Sequence, residues 1–146
     1  MSNKASKSTD YYLKKVQELS ETGTWELDIQ KNILFWTEEN YKIFGIPFDT
    51  KTNFKLFLEC IHPEDREFVA KKWDAALQKE PYDIEHRLLV DGKIKWVREK
   101  ADIEFDENDK PIKAIGITKD ITSQKKIEQA LENISKQFSA ISGKEF

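Results

Sequence analysis

Apolar side chains along this chain recur first at helical spacing and then with the two-residue alternation of strands. Tyr12, Leu13, Val16 and Leu19 share one side of a helix that Asp10 can cap and Gly23 breaks. Residues 1–9 ahead of it are polar and read as a disordered leader. Residues 24–29 alternate, which points Trp25, Leu27 and Ile29 to one face of a strand. A turn at residues 30–32 leads into Ile33, Leu34, Phe35 and Trp36, so the pair forms a hairpin. Thr37 is placed to cap a short helix with Tyr41 and Phe44 on one face, ended by Gly45 and Pro47. A second short helix spans residues 53–60. Pro63, followed by Glu64 and Asp65, opens a longer helix with Phe68, Val69, Trp73, Ala76 and Leu77 on one stripe, closed by Pro81.

Three strands follow. Tyr82, Ile84, His86, Leu88 and Val90 share a face, and Asp91-Gly92 is a two-residue hairpin turn. The next strand covers residues 94–105, but its apolar phase is lost between Val97 and Ala101, where a bulge is expected. A polar turn at residues 106–111 precedes the last strand, residues 112–119, and a final helix starts near Thr122. Hairpins separated by a block of helices predict an α+β fold with an antiparallel sheet and helices packed on one face.

Composition narrows the function. The 146 residues suit one domain with a true core. A net charge of −3 gives no basic field for nucleic acid or an acidic membrane surface. The one cysteine, Cys60, cannot form an internal disulfide, which fits a reducing, cytoplasmic setting. No apolar run is long enough to span a bilayer, and the polar start lacks a signal-peptide core.

Several pieces now resemble a known family. They are residues 23–28 (GTWELD), Trp36-Thr37 leading into residues 41–45 (YKIFG), residues 61–66 (IHPEDR), residues 84–88 (IEHRL), residues 91–97 (DGKIKWV) and residues 116–122 (GITKDIT). Together, in this order, they resemble a PAS domain with its C-terminal PAC half, over about residues 20–125. The resemblance implies a five-stranded antiparallel sheet with helices on one face, enclosing a pocket. It implies a sensory module that binds a small ligand or partner and relays the change to an output module, such as a histidine kinase or a cyclic-dinucleotide enzyme. The alternative within the family is a ligand-free module acting in dimerisation and relay alone. The chain then divides into a flanking helix (10–20), the PAS/PAC domain (21–122) and a signalling helix (123–146) that leads towards a further domain of a longer sensor.

The candidate residues follow. In the family, Asp120, Ile121 and Thr122 end the last strand and begin the signalling helix; a plain helix cap reads the same residues without a switching role. Ile127, Leu131, Ile134, Phe138 and Ile141 alternate four and three apart, a heptad seam for a homodimer or a stripe packed on its own domain. Trp25, Trp36, Phe44, Trp73, His86 and Trp96 lie on expected inward faces, as pocket lining or as core. Photosensing flavin PAS domains carry a reactive cysteine in an Asn-Cys-Arg-Phe-Leu-Gln-like motif, which the surroundings of Cys60 do not match. Haem PAS domains usually ligate iron from the long helix, and residues 64–80 hold no histidine. Haem and cysteinyl-flavin are therefore not expected, while non-covalent flavin stays open and the cofactor is undetermined. Cys60, His62 and His86 lack zinc-site spacing, so no metal is expected. No catalytic set stands out: paired acids fall on polar strand faces, and phosphate-loop glycines are missing. The chain is read as a non-enzyme.

Overall fold

In the computed structural model, which describes residues 2–145, α1 (Ser2–Ser20) leads into β1 (Thr22–Asp28) and β2 (Ile33–Trp36). Three short helical segments follow, α2 (Glu38–Phe44), α3 (Phe54–Cys60) and α4 (Arg66–Ala76), with one 3-10 turn at Pro63–Asp65. Then come β3 (Tyr82–Val90), β4 (Lys93–Phe105), β5 (Pro111–Asp120) and α5 (Thr122–Glu145). The strands form one antiparallel sheet in the order β2-β1-β5-β4-β3. The N-terminal hairpin thus joins the C-terminal meander through β1 and β5. Helices α2 to α4 cover one face of the sheet, and the core lies between them.

Local chemistry accounts for the main boundaries. Gly45 ends α2 in the left-handed conformation, its φ of 69° being one a glycine adopts at no steric cost. The Asn53 side chain accepts a hydrogen bond from Leu56 N–H and caps α3. His62 Nδ1 accepts from Glu64 N–H at 3.1 Å, so this histidine serves the turn that Pro63 opens. Asp91 and Gly92 both have positive φ, as a tight hairpin with primed turn geometry requires.

Several sequence expectations change. The backbone of residues 2–9 is helical, so the expected disordered leader is part of α1 and Asp10 lies inside the helix. The chain leaves α1 at Glu21, which has a positive φ, and not at Gly23. Gly23 sits in β1 for a packing reason: a Cβ there would stand 2.4 Å from Asn40 Oδ1. Thr37 occupies the N-cap of α2, where its carbonyl accepts from Tyr41 N–H but its side chain makes no bond to the helix. Its hydroxyl instead donates to Gln17 and accepts from Thr24 N–H, tying α1 to the sheet. Phe68, placed by spacing on the buried stripe of α4, is exposed.

The expected bulge near residues 97–101 is absent. Pairing of β4 with both neighbours runs unbroken there, and the irregularity falls at Glu104/Phe105. The apolar phase fails because an inward position is polar: Val97, Glu99 and Ala101 all point to the core, and Glu99 is 1% exposed.

Close packing at the middle of the sheet is strict. A Cβ on Gly116 would approach the Trp25 indole to 2.3 Å and the Lys100 carbonyl oxygen to 2.7 Å. Gly116→Ala is therefore expected to destabilise the domain by about 1–3 kcal/mol. A lower urea midpoint at unchanged slope checks this.

Candidate functional site

The inner face of the sheet carries alternate residues of every strand. Trp25 and Leu27 come from β1, Leu34 and Trp36 from β2, Tyr82 and His86 from β3, Glu99 from β4 and Thr118 from β5. Across the helical layer, α2 contributes Asn40 and Phe44, α3 Phe57, and α4 Trp73. The rings pack edge to face or tilted, with Trp73 centroids 5.4 Å from Tyr82, 5.7 Å from Phe54 and 6.3 Å from Trp25. Trp36 stacks on Phe44 at 4.5 Å.

Between these rings lies a cavity of about 20 Å³. That is room for roughly one water-sized guest. Trp25, Trp36, Phe44 and Trp73, all candidates from the sequence, line it together with Tyr82, Asn40 and Glu99. His86 is fully buried but stands behind Glu99, with its Nε2 3.8 Å from Glu99 Oε1, outside the lining. Trp96 does not belong to the interior. It is half-buried and pairs with Arg87 on the opposite face of the sheet, because it is one residue out of phase with Val97.

Sequence patterning missed Glu99 and Asn40. An acid inside an alternating strand reads as a break in phase; the signal was the lost periodicity itself. Asn40 fell between the apolar positions of a short helix. Glu99 Oε2 accepts from Trp25 Nε1 at 2.9 Å and Oε1 from Thr118 Oγ1 at 2.8 Å. Complete burial outweighs these two bonds and pushes the Glu99 carboxyl up to about 8. The carboxyl is thus protonated at neutral pH. Burial also drives His86 down to about 4, so its ring is neutral. Its Nδ1 lies 3.4 Å from the Arg87 carbonyl, which can only accept. Its Nε2 has no hydrogen-bond partner. Asn40 is 0% exposed, and neither its oxygen nor its nitrogen has a hydrogen-bond partner. Leaving such groups unpaired costs about 1–3 kcal/mol each.

Cys60 ends α3 outside the cavity lining, and burial raises its thiol to about 11. A thiol so rarely ionised is a poor nucleophile. Among the described residues no three His, Cys, Asp or Glu side chains group as metal ligands would. A wider groove of about 750 Å³ runs between α1 and the β2–α2 edge, past the exposed Leu13, Ile33 and Phe35. It is open to solvent and separate from the ring-lined interior.

The exit from the sheet is a second constellation. Asp120 Oδ1 accepts from Thr122 N–H at 3.0 Å and from the Thr122 hydroxyl at 2.7 Å, capping the first turn of α5. Thr122 Oγ1 in turn accepts from Trp96 N–H at 3.0 Å, and Ile121 N–H donates to the Trp96 carbonyl at 2.9 Å. Ile121 is buried beneath this node. Lys125 reaches back from α5 to lie 4.9 Å from the Trp96 ring centroid and pairs with Glu85 on β3. Arg87, held by Asp65, covers the same ring at 5.8 Å. Trp96 is thus the seat of the α5 start. Beyond it Ile127, Leu131, Ile134, Phe138 and Ile141 are all exposed, so the stripe does not pack on its own domain.

A twisted antiparallel sheet, closed on one face by short helices around a ring-lined interior and continued by a projecting helix, defines a sensory α+β module. The comparisons give the family. The PAS fold family model matches residues 33–118, and the chain belongs to the PAS family. A blue-light-activated histidine kinase of Brucella abortus (strain 2308) is 32% identical over 118 residues, spanning 73% of this chain and 24% of that protein. A probable diguanylate cyclase, DgcE, of Escherichia coli (strain K12) is 30% identical over 110 residues, 75% of this chain and 10% of that protein. The chain thus spans a quarter or less of these relatives. A sensory box histidine kinase/response regulator structure from Burkholderia thailandensis superposes with a TM-score of 0.74 at 21% identity, covering 88% of this chain and 98% of that one. The five-stranded sheet and helical layer are those of PAS sensor domains. The chain is a PAS sensory domain, homologous to those of histidine kinases and cyclases that act in signal transduction.

The buried acid gives a pH test with a definite sign. Between its ordinary 4.5 and its folded value of about 8, the native state holds a proton on Glu99 that the unfolded chain has released. Stability therefore falls as pH rises through that window. His86 acts in the opposite sense between about 4 and 6.5, where the unfolded chain holds the extra proton. From pH 6.5 to 8 the fall due to Glu99 is not opposed by His86, with a slope of up to about 1.4 kcal/mol per pH unit. Urea unfolding across that range checks it, and Glu99→Gln is expected to flatten the slope.

Proposed function

We propose that this domain senses a small molecule held in the ring-lined interior and relays the change through β5 to α5, which couples two copies and drives an attached output module. The observation that carries this reading is a continuous connection. Glu99 lines the cavity and is bonded to Thr118, two residues before the Asp120–Thr122 node on which α5 is seated. A guest that moves or ionises Glu99 acts directly on the strand that becomes α5. The exposed heptad stripe supplies the parallel dimer contact, whose register or crossing angle can carry the signal onward. The output is a histidine kinase or a cyclic-dinucleotide enzyme, as in the relatives, and this domain itself is not catalytic. The charge balance and the lone buried thiol suit a cytoplasmic setting without nucleic acid. No helix among the described residues is long and apolar enough to cross a membrane.

The small cavity favours a second reading, a ligand-free module that dimerises and relays strain between neighbouring domains. Native mass spectrometry separates the two. Sensing is expected to show added mass that denaturation removes; a bare mass across ligand mixtures points to relay alone. The seam has its own test. Leu131→Glu together with Phe138→Glu is expected to convert a dimer into a monomer in sedimentation, while the thermal transition of the sheet stays in place.

Thr122→Val removes the acceptor for Trp96 N–H and one donor to Asp120. Amide exchange is expected to speed up at Trp96 and in the first turn of α5, with the β3–β4 hairpin tip unchanged. A stability cost of about 1 kcal/mol accompanies the loss.

A further inference from the structure

An acid and an amide, both buried, line the interior cavity with hydrogen-bonding capacity that the protein does not use. Asn40 is 0% exposed, and its Oδ1 and Nδ2 are both unpaired. Its place is fixed, because α2 lays it over Gly23 of β1, where any Cβ would run into it. Glu99 accepts from Trp25 and Thr118, but as a protonated acid it also has an O–H to donate. His86 Nε2 stands 3.8 Å from Oε1, beyond hydrogen-bond range and outside the lining. Amide and acid share a cavity of about 20 Å³. Holding a water takes about 10–15 Å³ and roughly two to four polar partners, whereas cavities that stay empty are apolar.

We propose that the cavity is a binding site for one ordered water, which bridges Asn40 of α2 to Glu99 of β4 and joins the helical layer to the middle of the sheet. A water both donates and accepts, so it can take the Glu99 acid proton and bond either end of the Asn40 amide. When Glu99 ionises, the same water turns and donates to the carboxylate. The amide carries N–H and C=O alike, and so partners the water in both orientations. Asn40 is therefore a positioning residue: it holds the water that solvates the acid.

The surroundings of Glu99 leave this water a distinct role. From β3 it meets His86, which burial keeps neutral, and Tyr82, held well above its usual range by burial and by Glu99. Trp25 of β1, Thr118 of β5, Asn40 of α2 and Trp73 of α4 carry no charge. No fixed cation among these groups stabilises the carboxylate, so its ionised form depends on hydrogen bonds, and the water adds one to those from Trp25 and Thr118. The water site does not depend on the sensory reading. On that reading, a guest that displaces the water must bring a donor and an acceptor to the same point, as a hydroxyl or an amide does, or lose affinity.

The test joins a high-resolution crystal structure of the whole chain to the Asn40→Leu variant. One density peak within hydrogen-bond distance of both Asn40 and Glu99 is expected in the wild type. The Trp25 indole 1H–15N signal, bonded to Glu99, reports the ionisation of the acid, with a wild-type midpoint at its folded value of about 8. Asn40→Leu is expected to raise that midpoint by about one pH unit, because the carboxylate loses a hydrogen bond. Its urea midpoint is expected to fall. A dry amide predicts the reverse, since replacing an unpaired polar group by an apolar one of the same shape is neutral or stabilising. If the variant does not fold, the wild-type density decides alone. An empty cavity, or a peak that touches only one of the two residues, overturns the bridge. Density for a larger molecule also overturns it, while supporting the sensory reading.

Discussion

One hydrogen-bonded acid organises this domain. Glu99 sits at the centre of the inner sheet face, where Trp25 of β1 and Thr118 of β5 both donate to it. The order β2-β1-β5-β4-β3 sets β5 of the C-terminal meander beside β1 of the N-terminal hairpin, so a side chain on β4 that grips both β1 and β5 ties the two halves together. Burying an acid is costly, and the cost is limited here by neutralising it. That compromise leaves a group poised to change charge inside the core. Its surroundings reinforce the point: His86 is equally buried and neutral, and Asn40 offers an unused amide.

The second constraint is mechanical. Strand β5 passes from its contact with Glu99 to the α5 start within a few residues, and the intervening backbone is held on both sides. Trp96 contributes its backbone to Ile121 and Thr122 and its ring to Lys125. The inner and outer faces of β4 meet different surroundings, with Glu99 facing the cavity and Trp96 facing the start of α5. Exposed surface ion pairs such as Lys125–Glu85 add little by themselves. Combined with the aromatic seat and the capped first turn, they fix the direction in which α5 leaves the sheet. The exposed stripe beyond is then free to meet a second copy.

Much of this architecture was legible in the sequence. Alternation placed Trp25, Leu27, Ile84 and Leu88 inward, turn chemistry placed the Asp91-Gly92 hairpin, and the family pieces fixed the sheet and the Asp120–Thr122 exit. What failed did so for physical reasons. Hydrophobicity points Trp96 inward, but its phase is set by Val97, and its ring meets cations outside. Glu99 was hidden because hydropathy patterns treat a buried acid as an error. The α1 start is not visible in the pattern because residues 2–9 carry too few apolar side chains to announce a helix.

The bond between Glu99 and Thr118 is the proposed link from interior to exit. Amide hydrogen exchange in Thr118→Val compared with the wild type tests it most directly. Faster exchange is expected at Ile121 and across the first turn of α5, with little change at the β3–β4 hairpin tip. Unchanged exchange at the exit, or a uniform rise across the whole sheet, would contradict it.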